Sequence, residues 1–228
     1  STGDWLKLAN NKIKEVQKRK KTPILVGGTG LYFKSLTDGL VSIPNIPIKF
    51  RQKVRSLNKK IGSKKFFSKL IKLDPLVKNR IKSSDAQRTI RAYEVKSFTK
   101  KSIYLWFKKT KSNYQQKDFY KIYIDFPKDK LVERIHLRAQ EMLKKGAISE
   151  VKKFNSLKVR NDKTAYKAIG IREVNEYLQK KIEIAEVIEK ISIKTRQYAK
   201  RQRTWANGNM QNWNKINPIQ LTDFLKKI

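Results

Sequence analysis

No cysteine occurs in the 228 residues, and histidine occurs once, as His136. The first absence excludes a disulfide framework and any cysteine zinc site. The second argues against a histidine-based metal centre and leaves His136, in ERIHLRAQ, as a surface or packing residue. Long apolar runs are missing as well. No stretch approaches the roughly 18 apolar residues of a membrane span, and no signal-like apolar core follows the basic N-terminal region. A soluble protein of the cytoplasm with no membrane partner is therefore expected. Acids are scarce: 19 Asp and Glu stand against 55 Lys and Arg, a net charge of +36. That exceeds what solubility needs and lies where polyanion binding is expected, with nucleic acid as the first partner. At 39% hydrophobic, the chain still has material for a core, as one domain or one domain plus an insertion.

Arginine is scarce beside lysine, 13 against 42. A lysine and isoleucine bias this strong reflects genome composition as readily as function, so the arginines are the better clue. Where Lys is the default cation, an Arg marks a need for the planar fork that binds phosphate or carboxylate bidentately. The densest cluster is TRQYAKRQRTW, residues 195–205. As a helix it places Arg196, Lys200 and Arg203 on one basic stripe and Tyr198, Gln202 and Trp205 on another face. Like charges at that spacing repel by a few tenths of a kcal/mol per pair, a cost that phosphates lying between them would remove. A solvated face in a lysine-rich chain is the other reading, and both stay open.

The segment from Asp4 to about Lys20 carries Trp5, Leu8, Ile13 and Val16 at helical spacing and leads into PILV, read as a buried parallel strand. Gly27, Gly28, Thr29 and Gly30 then make a turn, and LYFKSL begins the next helix. This strand, turn and helix form half of a βαβ unit. GGTG matches neither G-x-x-x-x-G-K-[ST] nor G-x-G-x-x-G, so a tight turn permitting close backbone approach is as good a reading as a phosphate loop. Residues 48–98 read as helical and very basic, with SDAQRTIRAYEV starting a helix near Ser84 or Asp85. FYKIYIDFP reads as a second core strand, expected beside PILV in one parallel sheet. LVERIHLRAQEMLKKGAISEV is an amphipathic helix with Gly146 as its cap. Arg134 and Arg138 lie one turn apart on it and either clamp an anion or pair with Glu133 or Glu141. An Asn161-Asp162-Lys163 loop precedes TAYKAIGIREV, interrupted at Gly170, and long helices fill Ile184 to Trp205.

In this order the segments resemble the bacterial tRNA dimethylallyltransferases, the tRNA isopentenyltransferase family. PILVGGTGLYFKSLTDGL is similar to the family's strand–turn–helix signature, and DAQRTIRAYEV to its D-P-Q-R-x-x-R-A-x-E-V element. ERIHLRAQEML, TAYKAIGIREV and TRQYAKRQRTW follow in the family's order. The resemblance implies transfer of a dimethylallyl group from dimethylallyl diphosphate to N6 of the adenine next to the tRNA anticodon. It also implies a fold: α/β, with a P-loop NTPase-like parallel sheet core and a helical insertion domain. The family's Walker-type loop and the Asp taken as general base have no counterpart here. The expectation is therefore an N-terminally truncated member with an incomplete core, first strand and phosphate loop missing, inactive alone. Residues 1–41 would begin the core, 42–118 would form the helical insertion, and 119–228 would complete the core.

By the same resemblance Thr29 lies in the reaction channel near the adenine, and Arg138, with Arg134, holds the diphosphate. Arg51 contacts tRNA at the start of the helical insertion, and Gln87, Arg88 and Arg91 touch the anticodon arm. Lys167 and Arg172 belong to a second tRNA element, and Lys200, Arg201, Gln202, Thr204 and Trp205 to a third. Arg203 and Ala206-Asn207 depart from the family pattern. Mg2+ is implied as cofactor of the complete enzyme, with no metal ligand among these residues. The anticodon stem-loop and dimethylallyl diphosphate are implied as partners of a monomer. A non-catalytic basic RNA-binding module and a free-adenylate isopentenyltransferase are the competing readings. The basic insertion favours tRNA over a mononucleotide, which offers few phosphates for so many cations.

Overall fold

The computed structural model describes residues 1–160 and 163–226, so the Asn161-Asp162 portion of the expected loop lies outside the described residues. The chain divides into two compact units, one of Ser1–Leu25 and Leu31–Phe119, the other of Val26–Gly30 and Tyr120–Ile228.

The first unit is helical. Ser1 caps α1 (Thr2–Lys18) by accepting the Asp4 N–H, and α2 (Gly30–Thr37) runs on into this unit. Pro47 opens α3 (Ile48–Ile61), and Gly62, at φ +78°, turns the chain into α4 (Ser63–Leu73). Asp85 caps α5 (Ala86–Thr99) by accepting the Arg88 N–H at 3.0 Å, as the sequence leads one to expect. Ser102 caps the short α6 (Ile103–Phe107). Lysines fill the outer faces of α3 and α4, while Val54, Phe66 and Leu70 are buried, Leu70 in one cluster with Ala92 and Val95 of α5 and Phe66 against the Tyr93 ring. Phe66 and Leu70 are fully buried, each worth about 1.5–3 kcal/mol of apolar transfer. Residues 1–25 and 31–41, expected with the second half of the chain, belong to this unit. The carbonyls of Leu36 and Thr37 accept hydrogen bonds from Ser112 Oγ at 2.9 Å and Gln116 Nε2 at 3.2 Å, tying α2 to the end of this unit.

The second unit joins helices to a small parallel sheet. β1 (Ile122–Ile124) pairs with β2 (Asn214–Ile216), Tyr123 opposite Lys215. The expected β1 neighbour, PILV, is not a strand: residues 21–27 carry no sheet pairing, and Ile24 and Val26 are 84% and 93% exposed. The physical reason is that a strand needs a partner for its N–H and C=O groups; β1 finds one at Asn214–Ile216, and among the described residues nothing lies alongside 23–26 to serve it. The result is an α/β chain, mostly helical, with a two-stranded parallel sheet.

The helix expected from LVERIHLRAQEMLKKGAISEV, with Gly146 as its C-cap, ends there as α7 (Lys128–Lys144), and the residues after the glycine form a second helix, α8 (Ala147–Ser156). Gly146, at φ +107°, is where they separate, since that left-handed backbone ends one helix and begins the next. A short 3-10 turn, Thr164–Lys167, precedes α9 (Ile171–Leu178). The 26-residue α10 (Ile184–Asn209) follows, and α11 (Leu221–Leu225) closes the described chain. Ala139 of α7, Val151 of α8, Val174 of α9 and Val187 and Ile191 of α10 form this unit's core.

Candidate nucleic-acid interface

The Gly27–Gly30 turn lies on α10. Gln202 Nε2 donates to the Gly28 carbonyl at 3.1 Å, and Gly30 rests against the Trp205 ring so closely that a Cβ there would overlap it. Close approach, rather than unusual backbone angles, is therefore why glycine stands at 28 and 30. Thr29 sits between them, exposed, immediately before α2. Of the residues expected to act, the structure thus brings together Thr29, Gln202 and Trp205. Gly30→Ala should force the turn away from the stiff indole and lower stability by about 1–3 kcal/mol. Gly28→Ala meets only the flexible end of Gln202 and should cost less. Urea unfolding of the two variants checks this, and equal losses would show that the ring gives way as easily as the amide.

Around this contact the rest of TRQYAKRQRTW sorts by face. Lys200, Arg201 and Thr204 are exposed, with the Arg201 guanidinium 5.6 Å from the Tyr198 ring centroid. α10 is unbroken, so Arg196, Lys200 and Arg203 share a face as their spacing suggests, but Arg203 is drawn to an acid. Its Nε pairs with Asp125 at 3.6 Å, just beyond β1, because Asp125 is fixed there by its own N–H to the Ile216 carbonyl. Arg196 lines a cleft of about 360 Å3 between α7 and α10 with Val132, Glu133, His136, Leu137, Glu189 and Ser192. Two acids and two apolar residues make it unsuited to a diphosphate.

Arg134 and Arg138 are exposed on α7, one turn apart. Arg134 lies 4.8 Å over the Phe126 ring, and neither forms an ion pair with Glu133 or Glu141 among the described residues, where Glu141 pairs with Lys145.

Lys167 is exposed on its 3-10 turn. Arg172, on α9, pairs with Glu176 at 3.0 Å, and Glu176 also binds Lys190 of α10 at 3.0 Å. Beside them Glu173 is 1% exposed, accepts the Gly170 N–H at 2.9 Å and pairs with Lys194 of α10. Burial pushes its carboxyl upward, but the Lys194 ammonium and the backbone N–H groups outweigh burial and hold it below the usual carboxylate range. Gly170, at φ +109°, is the bend this cap secures.

In the other unit Arg88 is exposed and pairs with Asp85 at 3.0 Å, and Gln87 is exposed beside it. Arg91 and Arg51 both reach Glu94, a buried acid on α5, at 3.3 and 3.4 Å. Glu94 and Glu173 fall inside the DAQRTIRAYEV and TAYKAIGIREV runs but take no role from sequence alone, and Glu176 lies outside both. A signal for them exists all the same: acids are rare in this chain, Glu94 follows Arg91 by one helical turn, and Glu173 follows Gly170 at the spacing of a helix cap.

The IPP transferase family model matches residues 1–209. The chain belongs to that family. It is 56% identical to the tRNA dimethylallyltransferase of Pelagibacter ubique (strain HTCC1062) over 228 residues, all of this chain and 73% of that protein. It is 40% identical to the tRNA dimethylallyltransferase of Rickettsia massiliae (strain Mtu5), covering 98% of this chain and 62% of that one. Its fold is similar to the full-length tRNA isopentenylpyrophosphate transferase of Bacillus halodurans, with a TM-score of 0.60 at 30% identity over 95% of this chain and 67% of that one. A eukaryotic dimethylallyltransferase acting on tRNA gives a TM-score of 0.74 at 26% identity over 90% of this chain and 52% of that one.

Proposed function

We propose that this chain acts in transferring a dimethylallyl group from dimethylallyl diphosphate to N6 of the adenine beside the tRNA anticodon. The observation that carries the reading is the seating of the Thr29 turn on Gln202 and Trp205 in a member of the IPP transferase family. The adenine must leave its stack to reach a pocket, which requires grips on the surrounding RNA. Arg51, Gln87, Arg88 and Arg91 grip the anticodon arm; Lys167, Arg172, Lys200, Arg201 and Thr204 serve the rest. N6 then attacks the allylic carbon, the C–O bond breaks, diphosphate leaves and the N6 proton passes to a base. Arg134 and Arg138 offset the charge growing on the leaving diphosphate. Thr29 presents its hydroxyl to the adenine. In this reading residues 42–118 form the RNA-binding arm of a P-loop NTPase-like core, and the protein works as a monomer in the cytoplasm.

Mg2+ is the expected cofactor of such a transfer and, when bound, neutralises diphosphate charge. Among the described residues no group of three or more His, Cys, Asp or Glu side chains could hold a metal ion. The described residues thus offer no all-protein cage, a Mg2+ here would be held chiefly through the diphosphate itself, and no step runs through it. No described helix is long and apolar enough to cross a membrane.

The test is a chimera in which these 228 residues replace the matching segment of the Pelagibacter ubique relative. It should label an anticodon stem-loop from dimethylallyl diphosphate, leave AMP untouched, and bind RNA less tightly as salt rises. Thr29→Val in the chimera should lower kcat by about tenfold or more at nearly unchanged affinity. A melting temperature that collapses with Thr29→Val assigns the hydroxyl to the turn instead. RNA binding without any transfer by the folded chimera sinks the reading.

A further inference from the structure

Three guanidiniums converge on one buried carboxylate. Glu94, with its side chain 2% exposed, meets Arg91 Nη1 and Arg51 Nε through the same oxygen, Oε2, at 3.3 and 3.4 Å. Its other oxygen, Oε1, lies 3.9 Å from Arg55 Nε. Arg51 and Arg55 stand one turn apart on α3, and Arg91 and Glu94 one turn apart on α5, so the packing of α3 on α5 gathers all three. One carboxylate neutralises one charge. Two positive charges remain, and the three arginine side chains keep 41%, 61% and 40% of their surface open to solvent for residues 51, 55 and 91.

We infer that Arg51, Arg55 and Arg91 form a single phosphate-binding cluster for adjacent phosphates of an RNA strand, and that Glu94 is the positioning residue that aims it. The inference rests on the proposed reading of Arg51 and Arg91 as RNA contacts. It adds Arg55, which neither the family motif nor the sequence pattern picks out, and a role for Glu94.

A purely structural role for the group is poorly matched to its composition. Satisfying a buried carboxylate calls for one well-placed guanidinium, and the surplus of two charges on neighbouring helices repels itself unless an anion answers it. The arrangement at Oε1 points the same way. That oxygen accepts no hydrogen bond, so Arg55 is held near it by charge alone and keeps its donors for another acceptor. Arginine suits the task better than the lysines around it because its planar fork grips phosphate oxygens in pairs. A buried anion beneath three such forks restricts their rotamers before RNA arrives and reduces what binding must order.

Binding of a fluorescent anticodon stem-loop to the 228-residue chain, followed by anisotropy across a salt series, tests this. Arg55→Ala should weaken binding about tenfold and lower the slope of log K against log salt by about one, with the melting temperature held. Lys60→Ala, at an exposed position of the same helix away from the cluster, should change affinity far less. Glu94→Gln decides the positioning role by the sign of its effect. It removes a negative charge, so bulk electrostatics makes it bind RNA more tightly, whereas loss of aim makes it bind more weakly. Weaker binding supports the inference and tighter binding overturns it. Should Glu94→Gln fail to fold, Arg55→Ala still decides: affinity equal to wild type overturns the cluster. Arg91→Ala separates the two levels. If it leaves affinity unchanged, the reading of the arm as an RNA grip has failed; if it weakens binding while Arg55→Ala does not, only the cluster has failed.

Discussion

A protein made of these 228 residues and nothing more is expected to transfer no dimethylallyl group, even with dimethylallyl diphosphate, Mg2+ and an anticodon stem-loop supplied. Diphosphate leaves readily only when several donors hold it at once. Nowhere do these residues carry the G-x-x-x-x-G-K-[ST] pattern that supplies them. The one glycine-rich turn is already used, its Gly28 carbonyl bonded to Gln202 and its Gly30 pressed on Trp205. Asp125, the acid at the end of β1, is held by Arg203. Losing a single preorganised donor typically lowers a rate by about 10²–10³, so losing a cradle of them should push transfer below that of the chimera by more than about 10⁴-fold. A product assay on stem-loop RNA, run beside the chimera, checks this. Transfer by the 228 residues within tenfold of the chimera would show that the donors lie here after all.

The second large effect concerns folding of the unit built on α9 and α10. Glu173→Ala should lower its stability by about 3 kcal/mol, because it removes a buried acid, frees the Gly170 N–H and strands Lys194 beside an empty volume. Lys194 is itself 43% open to solvent and can rehydrate, which keeps the loss at the lower end of what breaking a buried pair costs. The same residue sets an acid limit. Its carboxyl titrates lower in the folded chain than the ordinary 4.5, so its stabilisation is complete above that pH and drains away as pH falls through the folded value. Urea midpoints should therefore drop below about pH 4.5 in the wild type and drop less in Glu173→Gln. Parallel pH profiles for the two would remove Glu173 from the account.

Much of this architecture is legible in the sequence where local chemistry decides. Asp85 caps α5 because a short acidic side chain before QRTIR can serve no better purpose, and α10 is long because nothing between Ile184 and Trp205 interrupts it. Pairing is different. PILV and KIYI are both apolar enough for a strand, and only the presence of Asn214–Ile216, three residues with no alternation to betray them, determines which becomes one. Gly146 is legible as a stop but not as a start, since a cap looks alike from either side. At the site, arginine stands out because it is rare. Its partners carry a motif position but no visible role, because a glutamate on a helix reads as surface until packing buries it, as it does Glu94 and Glu173.

The unbroken course of α10 has a bearing on which changes the chain can absorb over time. Lys190 and Lys194 answer the acids of α9, while Gln202 and Trp205 hold the glycine turn, and nothing softer than helix lies between the two sets. Each residue in a helix turns the next by about 100° and advances it about 1.5 Å. A single insertion or deletion between Lys194 and Gln202 would swing one set off its partners however well every side chain was kept. Side chains on the outer face can drift, lysine for arginine or serine for asparagine. The count of residues between the two sets cannot.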